Sequence, residues 1–513
     1  MRLSQRLARA PLRRVYQTKR IIPLGPWRPD LPTFGNEGIV VCTNAIPHFK
    51  SFKSFPALTI STTALTARCQ GATTETDKDS NAQVYAGDAT KLYGNVDNTF
   101  TDFSKSGGYT ISADETWEFA KHKNQMFATN IADPVQEVTM GQTTFADLFT
   151  STLKPKARHM DVVRNRWLVL GNVEENSTRF TTRVRFSAID NPADMDASAV
   201  NLSGFQDLEG PGGWIQKIVG GRDYGLIFQE RQIQRMEFIG SPEIYRFDEV
   251  EVDRGAFAQN AVIALGRFVF YLAEDGFYVF DGVQSTPIGD GKVNRDFFAQ
   301  LDATYLHRIT AAIFFDHSCI VWSYTTSASA GAGDPDLMLL YHWPSGEWAE
   351  VDLDTEIILT SLSQGRTLEG LDAVNTSIDA LEFSLDSSAW QGGVPVFAGF
   401  NRAHKMGLFE GTGLAASFDT GAIQFNPGEK ATIRKVRSLV DGTAATTTVA
   451  VGTRDRLVAS NSFGSTVSLD ANGEHTFRGQ NTRARYHQFR LAVSGGFDHA
   501  QGVEVEWGGG GTQ

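Results

Sequence analysis

Cysteine is scarce and scattered in this sequence. Cys42, Cys69 and Cys319 are its three cysteines, and no two of them have the Cys-x-x-Cys spacing. An odd and dispersed set argues against a disulfide framework and against a structural zinc site. The sequence therefore predicts no cofactor and assembly in a reducing, cytosolic compartment.

Long apolar runs and an excess of basic charge are also missing. No run approaches the roughly 18 apolar residues that a bilayer-spanning helix needs, and no secretory apolar region is present. The formal net charge is −12 and the pI is about 5.4, which excludes a nucleic-acid clamp that is basic throughout. We expect no membrane-spanning segment.

Catalytic signatures are absent as well. There is no Gly-x-Ser-x-Gly elbow, no His-Glu-x-x-His pair and no repeated sialidase-type Ser-x-Asp-x-Gly-x-x-Trp box. Asp190, Asp194 and Asp196 cluster, but the central Gly and terminal Glu of an EF-hand are missing, which favours a capped loop. His317 and Cys319 have strand spacing, and a packed cysteine is the simpler interpretation. The sequence predicts a protein that is not an enzyme and has no metal site.

What the sequence does contain is turn formers and aromatic residues, with 49 Gly and 35 Phe. Such a composition favours short strands over long helices. Residues 267–273 and 276–281 are two apolar runs joined by an Asp275-Gly276 corner, which predicts a tight hairpin. Comparable strand pairs recur every ~40–55 residues, the length of a propeller blade. We predict an all-β chain with a β-propeller of five to seven blades, and short helices at 143–149 and 293–304.

Composition divides the chain into three parts. Residues 1–33 form a basic, extended arm, 34–415 a propeller with an irregular first part, and 416–513 a C-terminal β-sandwich or barrel. No acidic residue precedes Asp30. The arm supplies the candidate partner-contacting residues, which are Arg2, Arg6, Arg9, Arg13, Arg14, Lys19 and Arg20. An organellar transit peptide and a solvated tail are the alternatives for this segment.

Carbohydrate binding or cleavage is the competing function for a propeller. Trp117, Trp343 and Trp348 offer surfaces on which a sugar could stack, although packing at a blade edge is the more frequent role of such residues. A glycosidase also needs a pair of carboxylates. The candidates by position alone are Glu230, Glu237, Asp248, Glu249 and Glu251.

A series of phrases carries a family resemblance. In order, these phrases are YAGDATKLY (85–93), WEFAKHKNQMFATN (117–130), PKARHMDVVRNRWLVLG (155–171), VRFSAIDNPADM (184–195), GWIQKIVGGRDYGLIFQERQIQRMEFIG (213–240), FVFYLAEDGFYVFDG (268–282), TPIGDGKVNRDFF (286–298) and RARYHQFRLAVSGGFDHAQGVEVEW (483–507). The series resembles the tail hub, or packaged-DNA-stabilising (head-completion), proteins of short-tailed bacteriophages. The resemblance extends from about residue 22 to residue 507.

The resemblance implies a structural protein of the virion tail, assembled in the host cytoplasm. It implies a ring, typically of six copies, below the portal and its adaptor, which prolongs and helps to close the DNA channel and carries downstream tail parts. Double-stranded DNA would pass through the lumen without sequence-specific binding, and we expect Asp and Glu to line that lumen. Alternatives are a nozzle at the distal end of the tail, the carbohydrate-directed propeller and a eukaryotic organellar scaffold.

Overall fold

The chain folds into two compact units. A computed structural model describes residues 17–79, 81–96, 98–331, 333–363, 393–442 and 445–509. The propeller unit is Pro56–Thr412, and the terminal unit joins Met1–Phe55 to Gly413–Gln513. Among the described residues, no helix is long and apolar enough to cross a membrane.

The first five strands are divided between the two units. They are β1 (Gln17–Pro23), β2 (Ile39–Thr43), β3 (Ala45–His48), β4 (Ser51–Ser54) and β5 (Pro56–Ala64). The first four lie in the terminal unit, and β5 begins the propeller unit.

Blades 1 to 3 are four-stranded antiparallel meanders. Blade 1 contains β6 (Gly71–Thr76), β7 (Ala82–Gly87), β8 (Leu92–Val96) and β9 (Thr99–Asp102). Blade 2 contains β10 (Glu118–His122), β11 (Gln125–Thr129), β12 (Gln136–Thr139) and β13 (Ala146–Asp147). Blade 3 contains β14 (Lys156–Val163), β15 (Trp167–Glu175), β16 (Thr178–Phe186) and β17 (Gly204–Asp207).

Blades 4 to 6 repeat the same strand order. Blade 4 contains β18 (Ile215–Gly220), β19 (Tyr224–Gln229), β20 (Gln232–Gly240) and β21 (Ile244–Val252). Blade 5 contains β22 (Ile263–Leu265), β23 (Phe268–Ala273), β24 (Gly276–Phe280) and β25 (Ser285–Pro287). Blade 6 contains β26 (Thr310–Phe314), β27 (Cys319–Tyr324), β28 (Leu337–His342) and β29 (Glu347–Asp352).

Blade 7 closes the ring with strands from the two ends of the propeller unit. It contains β30 (Ile357–Leu362), β31 (Pro395–Phe400) and β32 (Lys405–Gly413), followed by β5 as its outermost strand. Blades 1 to 5 and blade 7 are separate four-stranded sheets. The four strands of blade 6 follow the same order within a larger sheet, so the described residues form seven blades. The predicted all-β propeller is confirmed, at the upper end of the expected blade number.

Adjacent blades pack face to face through apolar side chains. Trp167 of blade 3 and Ile227 of blade 4 belong to one buried cluster, and Phe228 of blade 4 and Tyr271 of blade 5 to the next. A strand inside a blade is covered on both faces, which explains why β23 has large side chains on both faces rather than alternating polarity.

Helical structure in the described residues is confined to connections. It consists of α1 (Asn294–Gln300) and 3-10 turns at Gln259–Ala261, Ala303–Arg308 and Phe315–His317. The predicted helix at 293–304 is confirmed by α1 and the turn after it. The predicted helix at 143–149 is wrong, because Ala146–Asp147 pairs as the outer strand of blade 2.

The terminal unit is assembled from both ends of the chain. Its remaining strands are β33 (Ala416–Thr420), β34 (Ala431–Asp441), β35 (Thr446–Arg454), β36 (Ser462–Phe463), β37 (Val467–Ser468), β38 (Glu474–Thr476), β39 (Arg483–Ala484), β40 (Tyr486–Ser494) and β41 (His499–Gly509). One sheet contains β1, β3, β4, β34, β38, β39 and β41; in another, β2 pairs β33, which leads on to β40 and β35–β37. Aromatic rings meet between them, with the Phe52 and Phe418 centroids 5.2 Å apart.

Residues 34–55 therefore lie in the terminal unit, although their composition predicts that they belong to the propeller. The reason is non-local pairing: β2 pairs antiparallel with β33, and Phe52 of β4 pairs with Ala500 of β41. Residues 17–23 of the predicted extended arm likewise form β1 on β41. Periodicity along the chain identifies a strand but not its partner.

Candidate functional site

The inner strands of all seven blades line one cavity at the centre of the propeller. Its volume is about 350 Å³, and strands β6, β10, β14, β18, β22, β26 and β30 each contribute to its wall. The titratable side chains on the wall are Arg68, Glu118, Asp161, Lys217, His307 and Arg308. These groups come from segments that are far apart in the chain, and the closed ring brings them together.

Glu118, the first residue of β10, is the most heavily bonded of these groups. Its Oε1 lies 2.9 Å from Lys217 Nζ and 2.9 Å from His159 Nδ1, and its Oε2 accepts a 3.0 Å hydrogen bond from the backbone N–H of Met160. Burial alone would raise the pKa of Glu118, but Lys217 and His159 outweigh it and lower the pKa to about 2. Glu118 is therefore an ionised link between blades 2, 3 and 4.

Asp161, on β14, has the opposite electrostatic environment. Its carboxylate accepts 2.7 Å hydrogen bonds from the backbone N–H groups of Val162 and Gly220. Burial nevertheless raises the pKa of Asp161 above its ordinary range. Two carboxylates in one cavity thus have pKa values pushed apart, an arrangement that acid–base sites share with structural ion-pair networks.

Positive charge gathers where the chain enters blades 1 and 6. Burial lowers the pKa of His307, and the neighbouring cations Arg308 and Arg68 lower it further, against the opposing effect of Asp114. Asp114, whose side chain is 77% exposed, lies 3.5 Å from His307 Nε2. This end of the cavity is therefore a cationic rim next to solvent.

The basic arm is only partly within the described residues. Arg2, Arg6, Arg9, Arg13 and Arg14 lie outside them. Lys19 and Arg20 lie on β1, where their backbones are in register with Glu506 and Val505 of β41. The side chain of Lys19 forms an ion pair with Glu504, with its Nζ 3.1 Å from the carboxylate. Neither Lys19 nor Arg20 is among the residues that line the central cavity.

The aromatic sugar-binding candidates are mostly packed inside the protein. Trp348 is buried and its indole N–H donates to Ile288 O at 3.2 Å, and Trp117 is buried and donates to Asp88 O at 3.0 Å. Trp343 is half-buried.

The carboxylate candidates all lie within blade 4 and have structural partners. Glu237 and Asp248 both pair with Arg246 at the surface, and Glu251 accepts a hydrogen bond from the backbone N–H of Ser285. Glu230 accepts from Gln216 at 3.4 Å, while Glu249 borders a separate surface pocket. None of these five lines the central cavity among the described residues.

The possible metal ligands have other partners. Asp190 pairs with Arg166 at 3.2 Å, while Asp196 accepts from the backbone N–H groups of Thr152 and Leu153. Cys319 is buried, and burial raises the pKa of its thiol. Within the described ranges, no group of three His, Cys, Asp or Glu side chains could hold a metal ion.

The cavity residues were not identified from the sequence. Glu118, His159 and Lys217 lie on three different blades and form no motif. A weak signal did exist for Lys217 alone, since a Lys inside a short and mostly apolar strand such as β18 is unusual. Choosing these residues among other strand charges required the closed ring.

Comparisons with known proteins add little. No protein-family model and no curated protein matches this chain. Solved structures do match, among them the crystal structure of BamB from Moraxella catarrhalis, at 7% identity over 71% of this chain and 94% of that chain, with a TM-score of 0.35. The class of protein defined by the strand order itself is an all-β protein with a closed β-propeller.

Proposed function

We propose that this protein is a structural component of a short bacteriophage tail. Its copies form a ring below the portal and its adaptor, and the resemblance implies six copies in that ring. It prolongs and helps to close the DNA channel there. The proposal rests on the resemblance of its ordered phrases to tail hub proteins. The observation in the structure that supports it best is the position of the base of the basic arm.

That base is held on an exposed strand of the terminal unit. Within the described residues β1 pairs with β41 alone, so its other edge has no strand partner. Thr18, Lys19, Arg20 and Ile21 are exposed on it, and Ile21 is 59% exposed. The five arginines at positions 2 to 14 directly precede this strand in the chain. A basic segment tethered to a fixed edge suits attachment to an acidic neighbouring subunit or adaptor.

The charge of the whole chain agrees with this role. Each copy carries a formal charge of −12, so copies repel one another at long range. A basic arm offers each copy a local attraction to the acidic surface of its neighbour. A predominantly acidic lumen would also make few of the phosphate contacts that retain DNA.

Immunogold electron microscopy of purified phage particles whose genome encodes this chain tests the proposal. Antibody raised against the purified chain should label the junction of head and tail. Labelling at the distal tip would instead favour a nozzle. If purified particles contain neither label nor peptides of this chain, the proposal is wrong.

The arm is tested separately by substitution. Serine at all five arginine positions of the arm (Arg2, Arg6, Arg9, Arg13 and Arg14) should abolish incorporation into particles. Lysine at the same five positions should preserve incorporation, because positive charge rather than the shape of the guanidinium group drives the contact. The purified chain should be monomeric by light scattering and assemble on a preformed tail. A stable ring formed by the chain alone would contradict that assembly order.

A further inference from the structure

Three cations face the central cavity, and two of them are matched by carboxylates. Lys217 Nζ is 2.9 Å from Glu118, and Arg308 is 3.2 Å from Asp334. For the third, Arg68, no carboxylate lies within 4 Å among the described residues. Its guanidinium donates to the backbone oxygens of Cys69, at 3.4 Å, and Ala113, at 3.0 Å. Arg68 is therefore the cation on this wall whose charge lacks a direct counter-ion.

The surroundings make that unmatched charge costly. Burial lowers the pKa of Arg68 and the nearby Arg308 lowers it further, which outweighs the opposing effects of Asp334 and Glu356. An arginine remains charged under these conditions. A buried or half-buried charge without a counter-ion gains strongly when an ion of opposite sign enters.

We propose that the central cavity of the propeller binds a small oxyanion-bearing molecule, a carboxylate or phosphate of about monosaccharide size, with Arg68 as its anchor. The guanidinium presents paired N–H donors that match a carboxylate or phosphate. His307 and Arg308 flank it on the same wall, and Lys217 lies on blade 4.

Size restricts the ligand to a small molecule. A volume of about 350 Å³ is at the lower end of the range for small-molecule sites. Neutral polar residues on the wall, including Thr73 and Asn260, can bond hydroxyl groups, so a sugar acid or sugar phosphate suits the cavity. This inference does not depend on the role in a phage tail.

Calorimetric titration of the full chain at low ionic strength tests the site. The probes are inorganic phosphate, glucose 1-phosphate and glucuronate, with glucose as the uncharged control. At least one anion should bind with a dissociation constant of about 1 mM or tighter, and glucose should not. A preference for glucose 1-phosphate or for glucuronate identifies the oxyanion. If no anion binds, or if glucose binds equally well, the proposal is overturned.

Substitutions locate the binding. Arg68→Gln should weaken it by roughly tenfold to a hundredfold, the effect of losing hydrogen bonds to a charged group. Arg246→Gln is the control, because Arg246 pairs with Glu237 and Asp248 at the surface of blade 4. Equal affinity in the Arg68 variant and wild type would refute the assignment.

A measurement on the wild-type protein covers the case in which the Arg68 variant does not fold. Hydrogen exchange with and without the tightest anion should show added protection at the start of β6 and at the entry to β26. Protection confined to other blades would also refute the site.

Discussion

The carboxylate of Glu118 and the ammonium of Lys217 lie 2.9 Å apart, although blade 3 separates the two blades that carry them. His159 of blade 3 completes the link at 2.9 Å from the same carboxylate oxygen. Because Glu118 is buried, this ion pair is shielded from water and salt. The centre of the propeller is thus held by charge as well as by the apolar packing between blades.

Glu118→Gln should lower the free energy of unfolding by about 3 kcal/mol, because it leaves Lys217 without its partner in a largely buried site. Urea denaturation measures the change. Glu237→Gln, which breaks an exposed pair with Arg246, should cost at most about 1 kcal/mol. Adding Lys217→Met to Glu118→Gln should recover part of the loss. Equal losses of unfolding free energy in Glu118→Gln and Glu237→Gln would contradict a stabilising role for the Glu118–Lys217 ion pair.

Acid should destabilise wild type more than Glu118→Gln. Lys217 and His159 lower the pKa of Glu118 from 4.5 to about 2, against burial, so its contribution is complete above pH 4.5 and disappears as pH falls towards 2. The wild-type advantage lost over that interval is on the order of 3 kcal/mol. Denaturation curves between pH 5 and about pH 2 measure it. Parallel pH dependences in the two proteins would show that Glu118 is not the group responsible.

Glu350 should have the opposite pH dependence. Burial, with Asp296 nearby, raises the pKa of Glu350 to about 7. The folded state then holds a proton that the unfolded state has released, so stability falls as pH rises from 4.5 to about 7. Glu350→Gln should therefore be more stable than wild type above pH 7, by on the order of 3 kcal/mol, and lose that advantage near pH 4.5. The same pH dependence in Glu350→Gln and wild type would show that Glu350 is not the group responsible.

Closure of the ring can be tested at a single glycine. A Cβ added to Gly407 of β32 would lie 2.4 Å from the backbone oxygen of Thr59 on β5, so Gly407→Ala should push the closing strand away. We expect a loss of about 1–3 kcal/mol and faster hydrogen exchange in β5. Gly496→Ala, where no atom lies within 4 Å of the new Cβ, is the matched control. Unchanged exchange in β5 would mean that this contact does not close the propeller.

Hairpins were predictable from the sequence because their determinants are local. The runs 267–273 and 276–281 correspond to β23 and β24, and Gly276 has a positive φ of 143° at the corner between them. A Cβ at that glycine would lie 1.9 Å from Asn294 Nδ2, so packing requires glycine there as well. The helix predicted at 143–149 is wrong because the strand that forms there, Ala146–Asp147, covers only two residues, too few to show alternating polarity.

The residues of the central site and the partners of the end strands were not predictable in this way. Alternating polarity and turn residues act over a few neighbours, so they specify strands, hairpins and the repeating blade length. Met406 N and Thr62 Oγ1 lie 2.9 Å apart but are separated by 344 residues, and nothing near either one indicates the other. Folding into a closed ring selects such pairs, because only there do distant strands satisfy their hydrogen bonds and bury their side chains together. The same closure places Glu118, Lys217 and Arg68 around one cavity, where burial changes what their charges can do.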